Sequence, residues 1–200
     1  YDFRKNDIKN GGEGAPLTPI FHKIMVNQKK IDMPVLILNI GGISNWTLVK
    51  NNNNHEIYSS DIGPGNCLID KWIKINSKFD FDKNGEISDS GKVNKLILNQ
   101  AIDNWSDIFN SNISKKNKSY DVKDFDLSFL RGLSLEDGAA TISEFTAHLI
   151  SENLNQIKNV NNIIVCGGGR KNQYLFDKIS KKTKSNLKLI DYYGINGDYV

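Results

Sequence analysis

The chain has 200 residues, enough for one domain or two small lobes that bury a sizeable apolar core. Its 26 Lys and Arg residues nearly balance 23 Asp and Glu residues, which argues against the concentrated basic face of a nucleic-acid binder. The mean hydropathy of −0.45 and the short apolar runs argue against a membrane span and favour a soluble protein. Cys67 and Cys166 lie far apart in glycine-rich motifs, which fits a reducing cytoplasm better than a disulfide framework or a zinc site.

Apolar blocks and glycine-rich turns alternate along the first part of the chain. Three strands are predicted, over 34–40, 45–50 and 57–60. The first strand enters Gly41-Gly42, and the third is expected to stop at Asp61-Ile62-Gly63-Pro64-Gly65. Apolar residues then recur with helical spacing over 66–75, where Asn66 is expected to cap the first turn of a helix.

The middle segment, 79–91, is rich in Asp, Gly and Ser. Four of its polar residues follow the spacing of the start of a calcium-binding loop: Asp80, Asp82, Asn84 and Glu86. Such a loop needs a bidentate Glu at its twelfth position, and this chain has Gly91 there. The segment therefore argues against calcium binding.

The second half of the chain alternates helices with strands. Helices are predicted over 92–109, 135–154 and 172–179, and strands over 162–166 and 187–190. The strand over 162–166 runs directly into Gly167-Gly168-Gly169. Strands that alternate with helices predict a mixed α/β domain with glycine turns at the carboxyl ends of strands.

Three glycine clusters each follow a predicted strand, at 41–45, 61–66 and 167–169. Glycine adopts positive φ and has no Cβ, so backbone N–H groups approach an anion closely. One such turn is weak evidence, but three together predict a phosphate-binding cleft. None of them matches the P-loop or the dinucleotide fingerprint.

Asp61 is the carboxylate placed closest to these turns. A carboxylate in that crevice can act as a general base toward a hydroxyl or water, or hold Mg²⁺ through a water. The alternative is that Asp61 only caps its turn. Asp70 is expected to be a surface or packing residue. The histidines, His22, His55 and His148, lack the spacing of metal ligands.

Seven motifs run through the chain in order: 2–4 (DFR), 11–17 (GGEGAPL) with Pro19 and His22, 38–45 (LNIGGISN), 61–66 (DIGPGN), 81–85 (FDKNG), 137–141 (DGAAT) and 165–169 (VCGGG). In this order and spacing they resemble the anhydro-N-acetylmuramic acid kinase family, within the sugar kinase/Hsp70/actin superfamily. The resemblance covers almost the whole chain and explains 81–85 as a family signature.

The resemblance implies an α/β actin-like ATPase (ribonuclease H-like) fold, mostly the second lobe of a two-lobed kinase. Residues 1–33 would be the end of the first lobe and a crossover segment, and 34–200 the second lobe, truncated at its C-terminus. Such kinases open with a glycine- and Ser/Thr-rich phosphate loop, and no counterpart precedes Tyr1. The chain starts without Met or a signal peptide, so we expect an interior fragment that is inactive alone. Val122 stands where the family pattern has an arginine.

The resemblance also implies a reaction, in which water opens the 1,6-anhydro bridge of anhydro-N-acetylmuramic acid and the freed O6 takes the γ-phosphoryl group of ATP. The product, N-acetylmuramic acid 6-phosphate, belongs to cytoplasmic peptidoglycan recycling. By motif position, Asp61 would be the general base. The residues implied for ATP and its phosphates are Gly41, Gly42, Gly63, Gly65, Gly167, Gly168 and Gly169. Those implied for the sugar are Asn45, Asn66 and Asp2. Mg²⁺ would bridge the phosphates and be held by them and by water, without a direct protein ligand.

Two alternative functions stay open. The missing first phosphate loop would also fit a non-catalytic sugar- or nucleotide-binding fragment. Another amino-sugar kinase of the same superfamily, acting on N-acetylglucosamine, is the second alternative. The expected partners are the sugar and ATP, with neither nucleic acid nor a membrane, and analogy with the superfamily adds a homodimer and hinge closure.

Overall fold

The structure is a computed structural model that describes Lys9 and residues 18–51, 56–111 and 125–200. Several positions named above lie outside these residues: Asp2, His55, Val122 and the motifs over 2–4 and 11–17. In the described part of the chain, no helix is long and apolar enough to cross a membrane.

A mixed sheet forms the centre of the described structure. Its strands are β1 (Val35–Ile40), β2 (Ile43–Val49), β3 (Ile57–Pro64), β4 (Asn162–Cys166) and β5 (Asn186–Leu189). They lie in the order β3-β2-β1-β4-β5. Strand β2 is antiparallel to β1 and β3, whereas β1, β4 and β5 run parallel. The central strand β1 is covered on both faces, which explains why its sequence is a continuous apolar run.

Helices cover both faces of the sheet. They are α1 (Thr18–Gln28), α2 (Cys67–Asn76), α3 (Glu86–Ser90), α4 (Lys95–Ser111), α5 (Leu135–Gln156) and α6 (Gln173–Lys182). Short 3₁₀ turns occur at Lys83–Gly85, Ser128–Leu130, Gly168–Lys171, Ile190–Tyr193 and Gly197–Tyr199. The larger apolar core joins one sheet face to α2, α5 and α6, and a second core lies on the face covered by α1.

Alternation along β1 divides its side chains between these two cores. Leu36 and Leu38 enter the larger core, while Val35 and Ile37 enter the second core beside Met25 and Val26 of α1. Helix α1 thus packs on the same sheet as the residues that follow it. The lobe boundary expected between 33 and 34 stays a prediction.

The predicted strands and the longer helices are confirmed, with ends that differ by a few residues. The expectation that the third strand stops at Asp61 is wrong, because β3 continues pairing with β2 as far as Pro64. Helix α1 was not predicted. Its apolar residues do not follow one stripe, since Ile20 and Ile24 are exposed while Met25 and Val26 are buried.

Asp82, from the segment that resembles a calcium loop, serves as a buried helix cap. Its carboxylate accepts hydrogen bonds from the amides of Ile87 and Ser88, at 2.8 and 3.0 Å, and from the Ser88 hydroxyl at 2.6 Å. The Ser88 hydroxyl oxygen also lies 3.0 Å from the Ser143 hydroxyl oxygen. Because Ser143 belongs to α5, the cap ties the start of α3 to the larger core.

We expect Asp82→Ala to lower the free energy of unfolding by about 2–4 kcal/mol, because two helix amides and a buried hydroxyl lose their acceptor. Urea unfolding followed by tryptophan fluorescence measures this difference. Asp80→Ala is the matched control, since its side chain is 86% exposed and lies 3.8 Å from the exposed Lys74 ammonium. Equal losses in the two variants would contradict the assignment of Asp82 as the cap.

Candidate active site

The three glycine clusters meet at the carboxyl ends of β1 and β4. The Gly65 amide donates to the Gly42 carbonyl at 2.9 Å, which joins the first two clusters. The third cluster contacts the end of β1, because a Cβ on Gly169 would lie 2.3 Å from Cγ2 of Ile40. Ligands of α/β sheets bind outside the carboxyl ends of the strands, and the clusters converge at that edge.

Close backbone packing explains why two of these positions are glycine. A Cβ on Gly65 would lie 2.3 Å from the Gly41 carbonyl oxygen, a backbone atom that cannot rotate away. Gly167 has φ of +80°, and a Cβ there would lie 2.6 Å from the Ile40 carbonyl oxygen, which is also a backbone atom. The Gly65 and Gly167 amides both donate to backbone carbonyls, so in this conformation they hold the turns together.

A row of polar residues crosses the sheet beside these turns. Asp61 is paired with Asn45, Asn45 with Asn39, and Asn39 with Cys166. Residues directly opposite on neighbouring strands share a face, so the row lies on one side of the sheet. With strands about 4.8 Å apart, Asp61 and Asn39 are separated by about 10 Å. The structure therefore brings Asp61 and Asn45 together and adds Asn39, which was not among the expected site residues.

A β-bulge sets the position of Asp61 relative to the glycine turn. Asn45 pairs with Asp61 and Ser44 pairs with Gly63, so Ile62 is the extra residue on β3. Ile62 enters the larger core, while Asp61 stays half-buried at the row, inside the strand rather than in the turn that follows it. The Ser44 hydroxyl donates to the Gly63 carbonyl at 3.1 Å, beside the bulge.

The expectation that Asn66 caps the next helix is wrong. Its backbone is helical, with φ of −79° and ψ of −16°, and its side chain makes no capping hydrogen bond. A cap needs extended backbone so that the side chain can reach the first-turn amides. The Asn66 amide instead donates to the Gly41 carbonyl at 2.8 Å. Its Nδ2 lies 3.0 Å from where a Cβ on Gly169 would be, so Asn66 contacts both turns.

Arg170 is a second polar residue at this edge that was not predicted as part of the site. It directly follows the third glycine cluster, is buried, and donates to the Gly167 carbonyl at 3.0 Å. The available signal was its place after the glycine run, but its partners lie at distant positions in the sequence. Cys166, at the end of the row, is a free buried thiol whose pKa burial raises to about 12, which makes it a packing residue.

His22 anchors α1 next to the polar row. Its Nδ1 lies 2.8 Å from the Thr47 hydroxyl oxygen, and the residue is only 1% exposed. Thr47 is two residues from Asn45 on β2, and the two therefore share a sheet face. Burial lowers the pKa of His22 to about 4, so the imidazole is neutral near pH 7.

All 200 residues match the family model described as anhydro-N-acetylmuramic acid kinase. The chain is 49% identical over 209 residues to an anhydro-N-acetylmuramic acid kinase of Pelagibacter ubique, covering 100% of this chain and 54% of that protein. It is 35% identical over 198 residues to one of Zymomonas mobilis, covering 98% and 52%. The chain therefore spans about half the length of the curated relatives it matches.

Two solved structures share the fold at low identity. The first is an activator of the 2-hydroxyisocaproyl-CoA dehydratase from Clostridium difficile with bound ADPNP. It has a TM-score of 0.55 and 18% identity over 88% of this chain and 59% of that chain. The second, a xyloylose kinase from Brucella ovis, has a TM-score of 0.50 and 11% identity over 80% and 36%.

These likenesses, together with the strand order, confirm the predicted α/β actin-like ATPase fold of the sugar kinases. The match of all 200 residues to one family model shows which family of this fold the chain represents. The chain belongs to the anhydro-N-acetylmuramic acid kinase family.

We expect Gly65→Ala to lower the free energy of unfolding by about 2–4 kcal/mol, because the new methyl group would force the first two glycine turns apart. Gly168→Ala is the control: apart from its chain neighbours, no described residue has an atom within 4 Å of the added Cβ, so its stability should stay within about 0.5 kcal/mol of wild type. Urea unfolding compares the variants. A urea midpoint of Gly65→Ala equal to that of wild type would mean that the two turns can separate without loss of stability.

His22 makes stability depend on pH. Its ordinary pKa of 6.5 falls to about 4 on folding, so between these values the unfolded chain binds a proton that the folded one does not. The contribution of the neutral His22 to the free energy of unfolding is therefore fully present above pH 6.5. It is lost as the pH falls toward 4, by about 3 kcal/mol for a shift of this size. Burial raises the pKa of Asp70 to about 6, which acts in the opposite direction but is common to wild type and variant.

The measurement is the unfolding free energy of wild type and His22→Gln from pH 7 to pH 4. Wild type should lose stability relative to the variant over this range. His148→Gln is the control, because that imidazole is partly exposed on α5, 3.4 Å from Glu152. Parallel curves for wild type and His22→Gln would show that His22 protonates without cost in the folded protein.

Proposed function

We propose that this chain is part of an ATP-dependent kinase that opens anhydro-N-acetylmuramic acid and phosphorylates it in cytoplasmic peptidoglycan recycling. The observation that carries the proposal is the place of the Asp61–Asn45 pair beside three converging glycine turns. Membership of the family supplies the substrate class. Family membership also favours anhydro-N-acetylmuramic acid over N-acetylglucosamine as the substrate. Membership of the superfamily alone would leave that choice open.

In the proposed reaction, the Asp61 carboxylate takes a proton from a water molecule as that water attacks the anomeric carbon. The bond from this carbon to the bridging oxygen breaks, and the freed O6 forms a bond to the γ-phosphorus of ATP while ADP leaves. Asp61 then releases its proton to solvent. The products are N-acetylmuramic acid 6-phosphate and ADP, so one water and one phosphoryl group are added to the sugar.

The neighbours of Asp61 suit this role. Asn45, directly opposite on β2, offers an amide that can orient the sugar or the water next to the carboxylate. The β-bulge at Ile62 fixes the position of Asp61 between two paired strands, and rigid placement is what proton transfer to a positioned base requires. Asn66 extends the proposed sugar contacts toward the third glycine turn, and Asp2 remains a proposed contact outside the described residues.

The edge of the sheet at which the three glycine turns meet fits a nucleotide by its shape. No described atom lies within 4 Å of a Cβ placed on Gly168, so the third turn presents open backbone surface against which an adenosine could pack. We assign Gly41, Gly42 and Gly63 to the phosphate side, next to Asp61, and Gly167, Gly168 and Gly169 to the adenosine side. Gly65 would act by letting the turns meet, because its amide is bonded to Gly42.

Bound ATP with Mg²⁺ supplies the phosphoryl group, and the metal offsets the phosphate charge. Among the described residues, no group of three or more His, Cys, Asp or Glu side chains could hold a metal ion. Mg²⁺ would be held through the nucleotide and water, and Asp61 is the described residue that we assign to a water-mediated contact with it.

The whole reaction is proposed for a protein of the relatives' length rather than for residues 1–200 alone. This chain corresponds to 54% and 52% of two curated relatives, so the remainder would supply the other wall of the cleft. Residues 34–200 would form the second lobe of that protein. Closure of the lobes and a homodimer are further parts of the proposal that rest on superfamily analogy.

Asp61→Asn in the full-length protein should lower kcat by at least about 1,000-fold, because the amide keeps the shape of the carboxylate but cannot take the proton. ATP binding measured by calorimetry should change by less than about threefold. Asp70→Asn is the control, a half-buried carboxylate on α2 with no part in the proposed chemistry. Near-normal turnover by Asp61→Asn would remove Asp61 from the role of base.

Mass analysis of the product separates the proposed reaction from its alternatives. Anhydro-N-acetylmuramic acid should gain one water plus one phosphoryl group, whereas an ordinary amino-sugar kinase adds a phosphoryl group alone. A full-length protein that binds the sugar and ATP without turnover would instead be a binding module.

A further inference from the structure

Arg170 lies between the third glycine turn and the end of the described chain. It belongs to the 3₁₀ turn Gly168–Lys171, and its side chain is only 5% exposed. Nε and Nη2 donate to the two carboxylate oxygens of Asp191 at 2.7 and 3.0 Å. Nη1 donates to Asp198 at 2.7 Å and to the Gly167 carbonyl at 3.0 Å. One guanidinium therefore binds two carboxylates and the backbone of the glycine turn.

The charges of this cluster are matched. Hydrogen bonds from Arg170 hold the pKa of Asp191 below its usual range. Those from Lys171 and Arg170 do the same for Asp198. A buried guanidinium is costly unless carboxylates and hydrogen bonds compensate it, and here its three nitrogens all have acceptors.

Backbone contacts tie the same two segments together. The Gly167 amide donates to the Gly197 carbonyl at 2.9 Å, so both polar groups of the Gly167 backbone are engaged next to Arg170. A Cβ on Gly197 would lie 2.6 Å from the Arg170 Nε, which shows how closely that segment packs on the guanidinium. Gly167 is thus a fixed part of the turn, whereas no described residue beyond the chain neighbours comes within 4 Å of a Cβ placed on Gly168.

We propose that Arg170 is a positioning residue for nucleotide binding, which fixes the Gly167–Gly169 turn in the conformation that receives the adenosine of ATP. The inference rests on the proposed function for the identity of the ligand. Glycine has the largest backbone freedom of any residue, so a run of three has no preferred shape of its own. A turn already held in its binding shape loses less entropy when a ligand packs on it.

Lysine cannot replace arginine in this arrangement. Its ammonium keeps the positive charge between Asp191 and Asp198, but it is a point donor and cannot make the two parallel bonds to Asp191 while also reaching the Gly167 carbonyl. Arg170→Lys therefore separates the charge, which supports folding, from the geometry of the turn.

The test uses steady-state kinetics of the full-length protein. Arg170→Lys should raise KM for ATP about tenfold, with kcat within about threefold of wild type and KM for the sugar unchanged. Asp191→Asn, which removes one carboxylate charge, should raise KM for ATP about threefold to fivefold. Lys184→Met is the control, because Lys184 is an exposed lysine between α6 and β5, outside the cluster formed by Arg170, Lys171, Asp191 and Asp198; its kinetics should match wild type.

A purely structural role would give another pattern. Loss of folded protein would lower the apparent kcat and the melting temperature of Arg170→Lys and leave both KM values unchanged. That result would overturn the proposal. A KM for ATP equal to that of wild type in Arg170→Lys would also overturn it. Calorimetry with a non-hydrolysable ATP analogue separates this inference from the proposed function. If wild type binds the analogue but does not phosphorylate the sugar when ATP is supplied, the proposed function fails. Weaker binding of the analogue by Arg170→Lys would still support the inference in that case. No binding by wild type overturns both.

Discussion

The contact of backbone with backbone at the carboxyl ends of β1 and β4 is the constraint on which the rest of this structure depends. Gly65 lies so close to the Gly41 carbonyl that no side chain fits between them, and Gly167 lies nearly as close to the Ile40 carbonyl at the end of β1. Side chains would hold these turns several ångströms further apart. Their absence gives three separate segments of the chain one shared edge, and that edge is where α/β sheets bind ligands.

The chemistry of the site depends on the polar side chains that lie next to that edge. Asp61, Asn45 and Asn39 occupy matching positions on three neighbouring strands, so a polar row lies beside open backbone. The bulge at Ile62 keeps Asp61 in this row while the next residues of β3 turn toward Gly65. The proposed general base and the proposed phosphate-binding edge would thereby be held in one sheet, which suits phosphoryl transfer because that reaction is catalysed chiefly by positioning and charge stabilisation.

Buried polar groups anchor the elements around the edge. His22 joins α1 to Thr47, Asp82 holds Ser88 of α3 next to Ser143 of α5, and Arg170 joins the third glycine turn to the segment after β5. Each of these groups would be costly to bury without its partner, so each contact specifies one arrangement of its elements more strongly than an apolar contact would. In the proposed function, the His22 anchor lies on the sugar side of the site and the Arg170 anchor on the nucleotide side.

The sequence by itself determined the strands, the longer helices, the glycine turns and the position of Asp61 next to them, because apolar runs, spacing and glycine clusters are properties of neighbouring residues. The order and spacing of the motifs also indicate the family, because both are properties of the linear sequence. Only the tertiary structure decided that α1 packs on the sheet, that β3 continues past Asp61 through a bulge, and that Asn66 contacts two turns instead of capping a helix. It alone showed Arg170 at the site, because residues 21 and 28 positions away supply its carboxylates. Local pattern cannot report such contacts, since they arise when distant segments are brought together by burial of the core they share.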